Sequence, residues 1–312
     1  MIKTFFQNIA FRGAKYFSQR QLISLTRQKL ILPFYHIVSD ETPVHIKNLY
    51  EARTIVEFKE DLDFLLDNYK PISLNQLIEI HKTKNKPAEN YFHLTFDDGL
   101  KELSSIVAPI LKEKNIPATF FINTHFLDNQ NLFYRFKESI LAEKYAAKGL
   151  LDFSAENERE IDELAILLGE NFEEYLKNNQ PYLTSEDVKS LIEDGFTIGA
   201  HSKNHPKYFD ISIDEQVAQT IESVDFLVQK FNLEYKVFSF PFTDDGIGVE
   251  FFKKIEGKLD LTFGTAGLKN DVIPNNLQRI PMEENKKGIE IIKSQYLYYL
   301  LKMFVGKNTV KR

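Results

Sequence analysis

The chain contains no cysteine and no tryptophan, and only 13 glycines and 11 prolines among 312 residues. Without cysteine there is no disulfide framework, no thiolate metal site and no thiol nucleophile, so any metal must be held by imidazole and carboxylate. The modest glycine and proline counts exclude collagen-like and low-complexity chains. A hydrophobic content of 43% over this length supplies a large core, enough for one enlarged α/β domain or two ordinary ones. No stretch approaches the roughly 18 consecutive apolar residues of a membrane span. The first thirty residues also lack the uninterrupted apolar h-region of a secretory signal. Acid is missing from both ends, since none precedes Asp40 and none follows Glu290. Residues 124–181 compensate with 12 acidic against 6 basic side chains. A chain of net charge −6 lacks the electrostatic footprint of a nucleic-acid binder, so no nucleic-acid partner is expected.

What is present is a rhythm of short β-branched and aromatic runs alternating with amphipathic stretches. Strands are expected at Leu30–His36, Tyr91–Phe96, Ala118–Asn123, Phe196–His201, Val237–Phe242 and Leu261–Thr265. Helices are expected at Phe58–Asn68, Leu74–His81, Leu103–Lys114, Ser185–Asp194 and Ile213–Phe231. In the last of these Val217, Ile221, Val224, Leu227 and Val228 form one apolar face. Such alternation predicts parallel βα units, closed into an α/β barrel or laid out as an open doubly wound sheet. Residues from about 124 to 181 break the rhythm and read as two or three polar helices, either a surface excursion or a lid or wall over a cleft.

Four predicted strands end in polar groups. Tyr91–Phe96 runs into Asp97-Asp98-Gly99, two adjacent carboxylates where strands disfavour Asp; a turn with a helix N-cap accounts for them, and so does a cation or a proton-transfer role. Phe196–Ala200 leads into His201-Ser-Lys-Asn-His205-Pro206, where Pro206 and the small polar residues predict a loop folded back on itself. Two imidazoles at that spacing suit a metal, Zn2+ above all, with a carboxylate as third ligand. Val237–Phe240 ends in Pro241-Phe242-Thr-Asp-Asp-Gly246, a bend able to aim a free backbone N–H into a cleft. Leu32-Pro-Phe-Tyr35 ends in His36, whose default reading is a buried structural histidine. Four polar strand ends at one implied rim say more than any one of them.

Thr95-Phe-Asp97-Asp98-Gly99 and His201-Ser-Lys-Asn-His205-Pro206 resemble, in order, the first two motifs of the polysaccharide deacetylase family, carbohydrate esterase family 4. Pro117-Ala-Thr-Phe-Phe121 resembles the strand after the first motif, and the likeness covers roughly residues 30–123 and 183–270. The resemblance implies a distorted, incomplete (β/α) barrel of about seven strands carrying the helical insertion. It implies a barrel domain at 30–290, with an amphipathic helical segment at 1–29 before it and an apolar, basic segment at 291–312 after it. Asp97 would be the general base, and Asp98, His201 and His205 would hold one divalent cation, Zn2+ first with Co2+ or Ni2+ as substitutes. Phe242, just after Pro241, would offer an oxyanion N–H, and the pair would line the substrate site.

The chain departs from the family pattern in three places. The usual Leu-x-His strand is missing after residue 270, the arginine of the third motif is absent from Lys236–Phe240, and no Asp-x-x-Asp-Trp equivalent exists. Tyr35-His36 is similar to the circularly permuted members that act on poly-β-1,6-N-acetylglucosamine, in which the last strand comes first. His36 is then the candidate general acid, and Arg279 in Gln278-Arg-Ile-Pro281 is the candidate to orient Asp97. The expected partner is an acetylated glycan, polymeric or lipid-linked. Alternatives are a non-catalytic carbohydrate-binding protein on the same barrel, or a metal hydrolase of a non-sugar amide or ester. Ile2, Phe5, Phe6 and Ile9 among basic residues, and apolar Tyr296–Val305 before a basic tail, either pack on the barrel or grip an anionic membrane surface. The expected location is cytoplasmic, with peripheral contact at the inner face of the membrane.

Overall fold

A computed structural model of the chain describes residues 2–83, 87–145 and 158–312. Its centre is a parallel sheet of eight short strands curled into a nearly closed barrel. In chain order these are β1 (Pro33–Tyr35), β2 (Leu94–Phe96), β3 (Ala118–Ile122), β4 (Thr197–Ala200), β5 (Val237–Ser239), β6 (Leu261–Gly264), β7 (Asn276–Gln278) and β8 (Ile280–Pro281). The order in space is β7-β6-β5-β4-β3-β2-β1-β8. β7 and β8 are consecutive stretches of one extended segment. β7 pairs with β6, and β8 pairs with β1 on the opposite edge. The switch falls at Arg279, whose N–H donates to Gly264 O while the next N–H, on Ile280, donates to Leu32 O. One segment therefore spans the gap, and counted that way the barrel has seven strands.

The strands are apolar on both faces because helices cover them outside and side chains fill them inside. Phe92, Phe96, Phe120 and Phe238 are fully buried. Expected strands 30–36 and 91–96 are each cut in two. Leu30–Ile31 and Tyr91–Phe92 pair with each other in a separate small sheet below β1 and β2. Pro33, with no N–H, interrupts the ladder between them.

The covering helices start where short polar side chains cap them. α1 (Ile2–Ala14) and α2 (Gln19–Thr26) precede the barrel, and Ser18 caps α2. Thr54 and Glu57 form a capping box for α3 (Ile55–Asn68), and Ser73 and Gln76 form one for α4 (Leu74–Lys82). α5 (Ala108–Glu113) follows a π-helical turn at Leu103–Val107, so the expected helix from Leu103 is irregular in its first half.

The expected insert contains α6 (Tyr134–Tyr145), α7 (Glu158–Leu168) and α8 (Phe172–Asn179), and its residues 146–157 lie outside the described residues. It is less polar than its sequence suggests. Phe126, Phe133, Phe136, Ile140, Leu141, Ile161 and Tyr182 make an apolar core of their own, joined to Ile37, Ile46 and Leu100 beside the barrel rim. α9 (Ser185–Glu193), α10 (Ile213–Phe231) and α11 (Val249–Lys254) return to the barrel rhythm. α12 (Gly288–Phe304) then packs along α1, with Gly13 against Leu297. Among the described residues, no helix is long and apolar enough to cross a membrane.

Candidate active site

The polar groups gather at the carboxyl ends of β1, β2, β4, β5 and β8, where a parallel barrel opens its strand ends. At the end of β2 the chain reverses through two left-handed residues, Asp98 (φ 69°) and Gly99 (φ 65°). The turn sends the two adjacent carboxylates to different partners. Ser202 (φ 70°) and His205 (φ 60°) bend the loop after β4 back on itself, and the His205 N–H donates to Ser202 Oγ at 3.0 Å. After β5, Thr243 N–H donates to Pro241 O at 2.6 Å around Phe242 (φ 56°), the strained form of a three-residue turn. Non-glycine residues at positive φ are costly and persist where the surroundings hold them. Here four of them stand at one rim.

Asp98, His201 and His205 are all buried, and one ligand atom from each lies within 4.8 Å of the others. Asp98 Oδ1 stands 3.4 Å from His201 Nε2 and 3.2 Å from His205 Nε2. His201 Nδ1 donates to Ser239 O at 2.9 Å, which fixes the ring and leaves Nε2 facing Asp98. Burial pushes His205 below its ordinary pKa despite the facing carboxylate. Asp98 itself is held well below the carboxylate range. Burial opposes this, and His205 and His201 outweigh it. Two imidazole nitrogens and a carboxylate oxygen without a hydrogen-bond partner thus converge on one point. This donor set fits a divalent cation.

Asp97 is placed quite differently. Arg279 Nη1 donates to Asp97 Oδ1 at 2.8 Å and Nη2 to Oδ2 at 2.7 Å, a bidentate fork with both groups fully buried. Arg279 also donates to Thr95 Oγ1, Ser239 Oγ and Gly264 O, and its guanidinium lies 4.3 Å from the Phe34 ring centroid. Burial would raise the Asp97 pKa, but the Arg279 charge, His201 and the fork together hold it below its ordinary value.

His36, at the end of β1, has Nδ1 2.5 Å from Glu283 Oε2, while Glu283 Oε1 accepts the backbone N–H of His36 and Ile37. Burial would lower this imidazole, but Glu283 prevails and raises its pKa to about 9. Phe242 N–H donates to no acceptor among the described residues, and the Phe242 ring packs edge-on to His205 at 4.5 Å. Phe133, from the insert, lies 4.7 Å from the same imidazole. The insert therefore packs against His205.

Residues 84–249, more than half of the chain, match the polysaccharide deacetylase family. The chain belongs to that family. The match contains Asp97, Asp98, His201, His205 and Phe242 and leaves His36, Arg279 and Glu283 outside it. Among solved structures, this deacetylase-family chain is similar to the Streptococcus pyogenes deacetylase PplD in complex with acetate. The TM-score is 0.58 at 18% identity, covering 86% of this chain and 98% of that one. IcaB from Ammonifex degensii gives 0.58 at 14% identity, covering 86% and 97%. A de-N-acetylase from Aggregatibacter actinomycetemcomitans gives 0.54 at 16%, covering 80% and 93%. These likenesses establish the fold. No curated protein matches the sequence.

Three side chains in contact with the family's motif residues carried no mark in the sequence reading. Glu283, two residues past β8, bonds His36 and left no local pattern. Ser239, on β5, bonds both Arg279 and Asp97. Tyr50 lies among turns and left no pattern. Its Oη donates to Asp98 Oδ2 at 2.7 Å, and its ring stacks on His36 with centroids 4.3 Å apart.

Proposed function

We propose that the chain is a metal-dependent hydrolase that removes an acetyl group, N-acetyl first, from a polysaccharide or lipid-linked glycan. The observation that carries this is the convergence of Asp98 Oδ1, His201 Nε2 and His205 Nε2 on one point beside a clamped, ionised Asp97. A divalent cation held there, Zn2+ first and Co2+ or Ni2+ as substitutes, would polarise the acetyl carbonyl and acidify water.

The chain's own groups supply the proton transfers. Asp97, kept anionic by Arg279, takes a proton from the attacking water as its oxygen bonds to the acetyl carbon. The Phe242 N–H is the candidate donor to the oxygen charge that then develops, and Pro241 sets the bend that presents it. His36, protonated at neutral pH because of Glu283, gives a proton from Nε2 to the leaving amine or hydroxyl as the bond to the acetyl carbon breaks. The products are acetate and the freed sugar group.

The test is acetate release from a panel of acetylated glycans, using metal-stripped protein with and without added zinc. Zinc-restored release is the expected result. Stoichiometric zinc binding with no acetate from any glycan, but with glycan bound, would replace this reading with that of a carbohydrate-binding protein.

The termini support a further part of the proposal. α12 ends in exposed Phe304 and Val305, and the basic ends of the chain carry no acid before Asp40 or after Glu290. Peripheral contact with an anionic membrane predicts co-sedimentation with phosphatidylserine vesicles at low salt that is lost at high salt.

A further inference from the structure

One side chain touches both halves of the site. Tyr50 donates its hydroxyl to Asp98 Oδ2 at 2.7 Å, which leaves Oδ1 as the oxygen facing His201 and His205. Its ring lies flat on the His36 imidazole, 4.3 Å away and 9° from parallel. Glu283 fixes one nitrogen of His36 and Tyr50 fixes the plane of its ring. Without the hydroxyl, the carboxylate is free to turn either oxygen, or both, toward the imidazoles.

Tyr50 sits in a run of turns between Pro43 and Tyr50 that contains no strand or helix. Such a segment has little stiffness of its own, and the insert supplies it. On α6, Ser139 Oγ donates to Val44 O at 2.7 Å, and Glu143 accepts from Asn48 Nδ2 at 3.0 Å and pairs with Lys47 at 2.6 Å. Ser139 and Glu143 are one helical turn apart and so share a face. From α8, Tyr175 Oη bonds His45 Nδ1 at 2.9 Å, and Phe136 of α6 packs on the same imidazole.

We propose that Tyr50 is a positioning residue through which the helical insert holds the Asp98 carboxylate and the His36 ring in their working orientations. The proposal rests on the metal-centre reading of Asp98, His201 and His205. It gives the insert a part in metal affinity and proton delivery besides packing against His205.

The experiment titrates metal-stripped protein with zinc against a competing chelator and measures kcat and KM for acetate release. Tyr50→Phe, which keeps the ring, is expected to weaken zinc binding about 10-fold, the usual loss when a partner of a ligand is removed. Saturating zinc should restore its kcat, and the circular dichroism of the metal-free protein should not change. Tyr50→Leu should lose zinc affinity similarly and keep a lowered kcat at saturating zinc, with KM unchanged, because the His36 ring has lost its plane. The pair Ser139→Ala with Glu143→Gln should weaken zinc in the same direction without touching the site. Wild-type zinc affinity in Tyr50→Phe overturns the role of the hydroxyl, and wild-type affinity in the Ser139/Glu143 pair overturns that of the insert. Asp98→Ala separates the two readings. If it binds zinc like the wild type, the metal-centre reading fails; if it loses zinc while Tyr50→Phe does not, only the present proposal fails.

Discussion

Arg279 and Asp97 meet as a bidentate, fully buried pair although 182 residues separate them in sequence. The fork matches both carboxylate oxygens, so geometry and charge are set together. Arg279→Ala leaves the carboxylate buried without a cation, a change that costs about 3–5 kcal/mol when a buried pair loses one partner. We expect a drop in melting temperature and an acid limb of kcat/KM moved to higher pH. Arg279→Lys should recover charge without the fork, and so only part of the activity. The sign follows from the depressed pKa of Asp97. Its stabilisation is present above the unfolded carboxylate pKa and is lost as pH falls through the lower folded value.

The His36–Glu283 pair carries the opposite sign. With a folded pKa raised to about 9, its contribution is complete below the unfolded histidine value of about 6.5 and disappears as pH rises through 9. An NMR titration of the His36 imidazole in metal-free protein should show that raised value. Glu283→Gln removes the opposing charge and leaves burial in control, so the pKa should fall by at least two units. A titration unchanged by the substitution would refute the pairing.

Asp97 and His205 should separate chemistry from metal. Asp97→Asn is expected to retain zinc and lose turnover by about 10²–10⁴-fold, the usual contribution of a positioned base. His205→Ala is expected to lose zinc. Metal analysis of the purified variants beside acetate release gives both answers. An active Asp97→Asn protein would remove Asp97 from its role.

Arg312 lies between Asp244 and Asp271, bonded to both carboxylates, with Asn276 and Gln278 donating to the same oxygens. Asp244 anchors the turn that contains Phe242, accepting Thr265 N–H at 3.1 Å. Removing the guanidinium leaves two buried carboxylates facing each other. Arg312→Ala should therefore destabilise by about 3–5 kcal/mol, and Asp271→Asn in the same chain should return part of the loss. Urea unfolding of the single and double variants measures both effects.

The strand ends were legible together rather than one by one. The two aspartates after Thr95-Phe96 fit a turn by themselves, and it was their recurrence with His201 and His205 at the ends of other strands that marked the rim. Arg279 was legible as a candidate by elimination, since the third-motif position holds no arginine. Tyr50 and Glu283 were not. Their importance comes from partners 48 and 247 residues away in sequence, which no local pattern records. The strand expected through Phe242 stops at Ser239, because the left-handed Phe242 and the proline before it turn the chain away from the sheet. The insert misled for another reason. Lys137 and Glu138 read as solvated, yet both are buried in α6, and Lys137 reaches Glu158 and Asp162 of the next helix. Charge in a sequence marks a surface only when no opposite charge folds over it.

The placement of His36 and its carboxylate partner at opposite ends of the barrel segment has a consequence for biosynthesis. The His36 imidazole is made 247 residues before Glu283. Asp97 likewise waits for Arg279, and the barrel stays open until the segment from Asn276 to Pro281 bridges its two edges. A ribosome-bound chain short of that segment has Asp98, His201 and His205, but neither Glu283 against His36 nor Arg279 against Asp97. Contacts of such long sequence separation also form slowly. If the proposed roles hold, the site is complete only once the segment from Asn276 to Pro281 has closed the barrel.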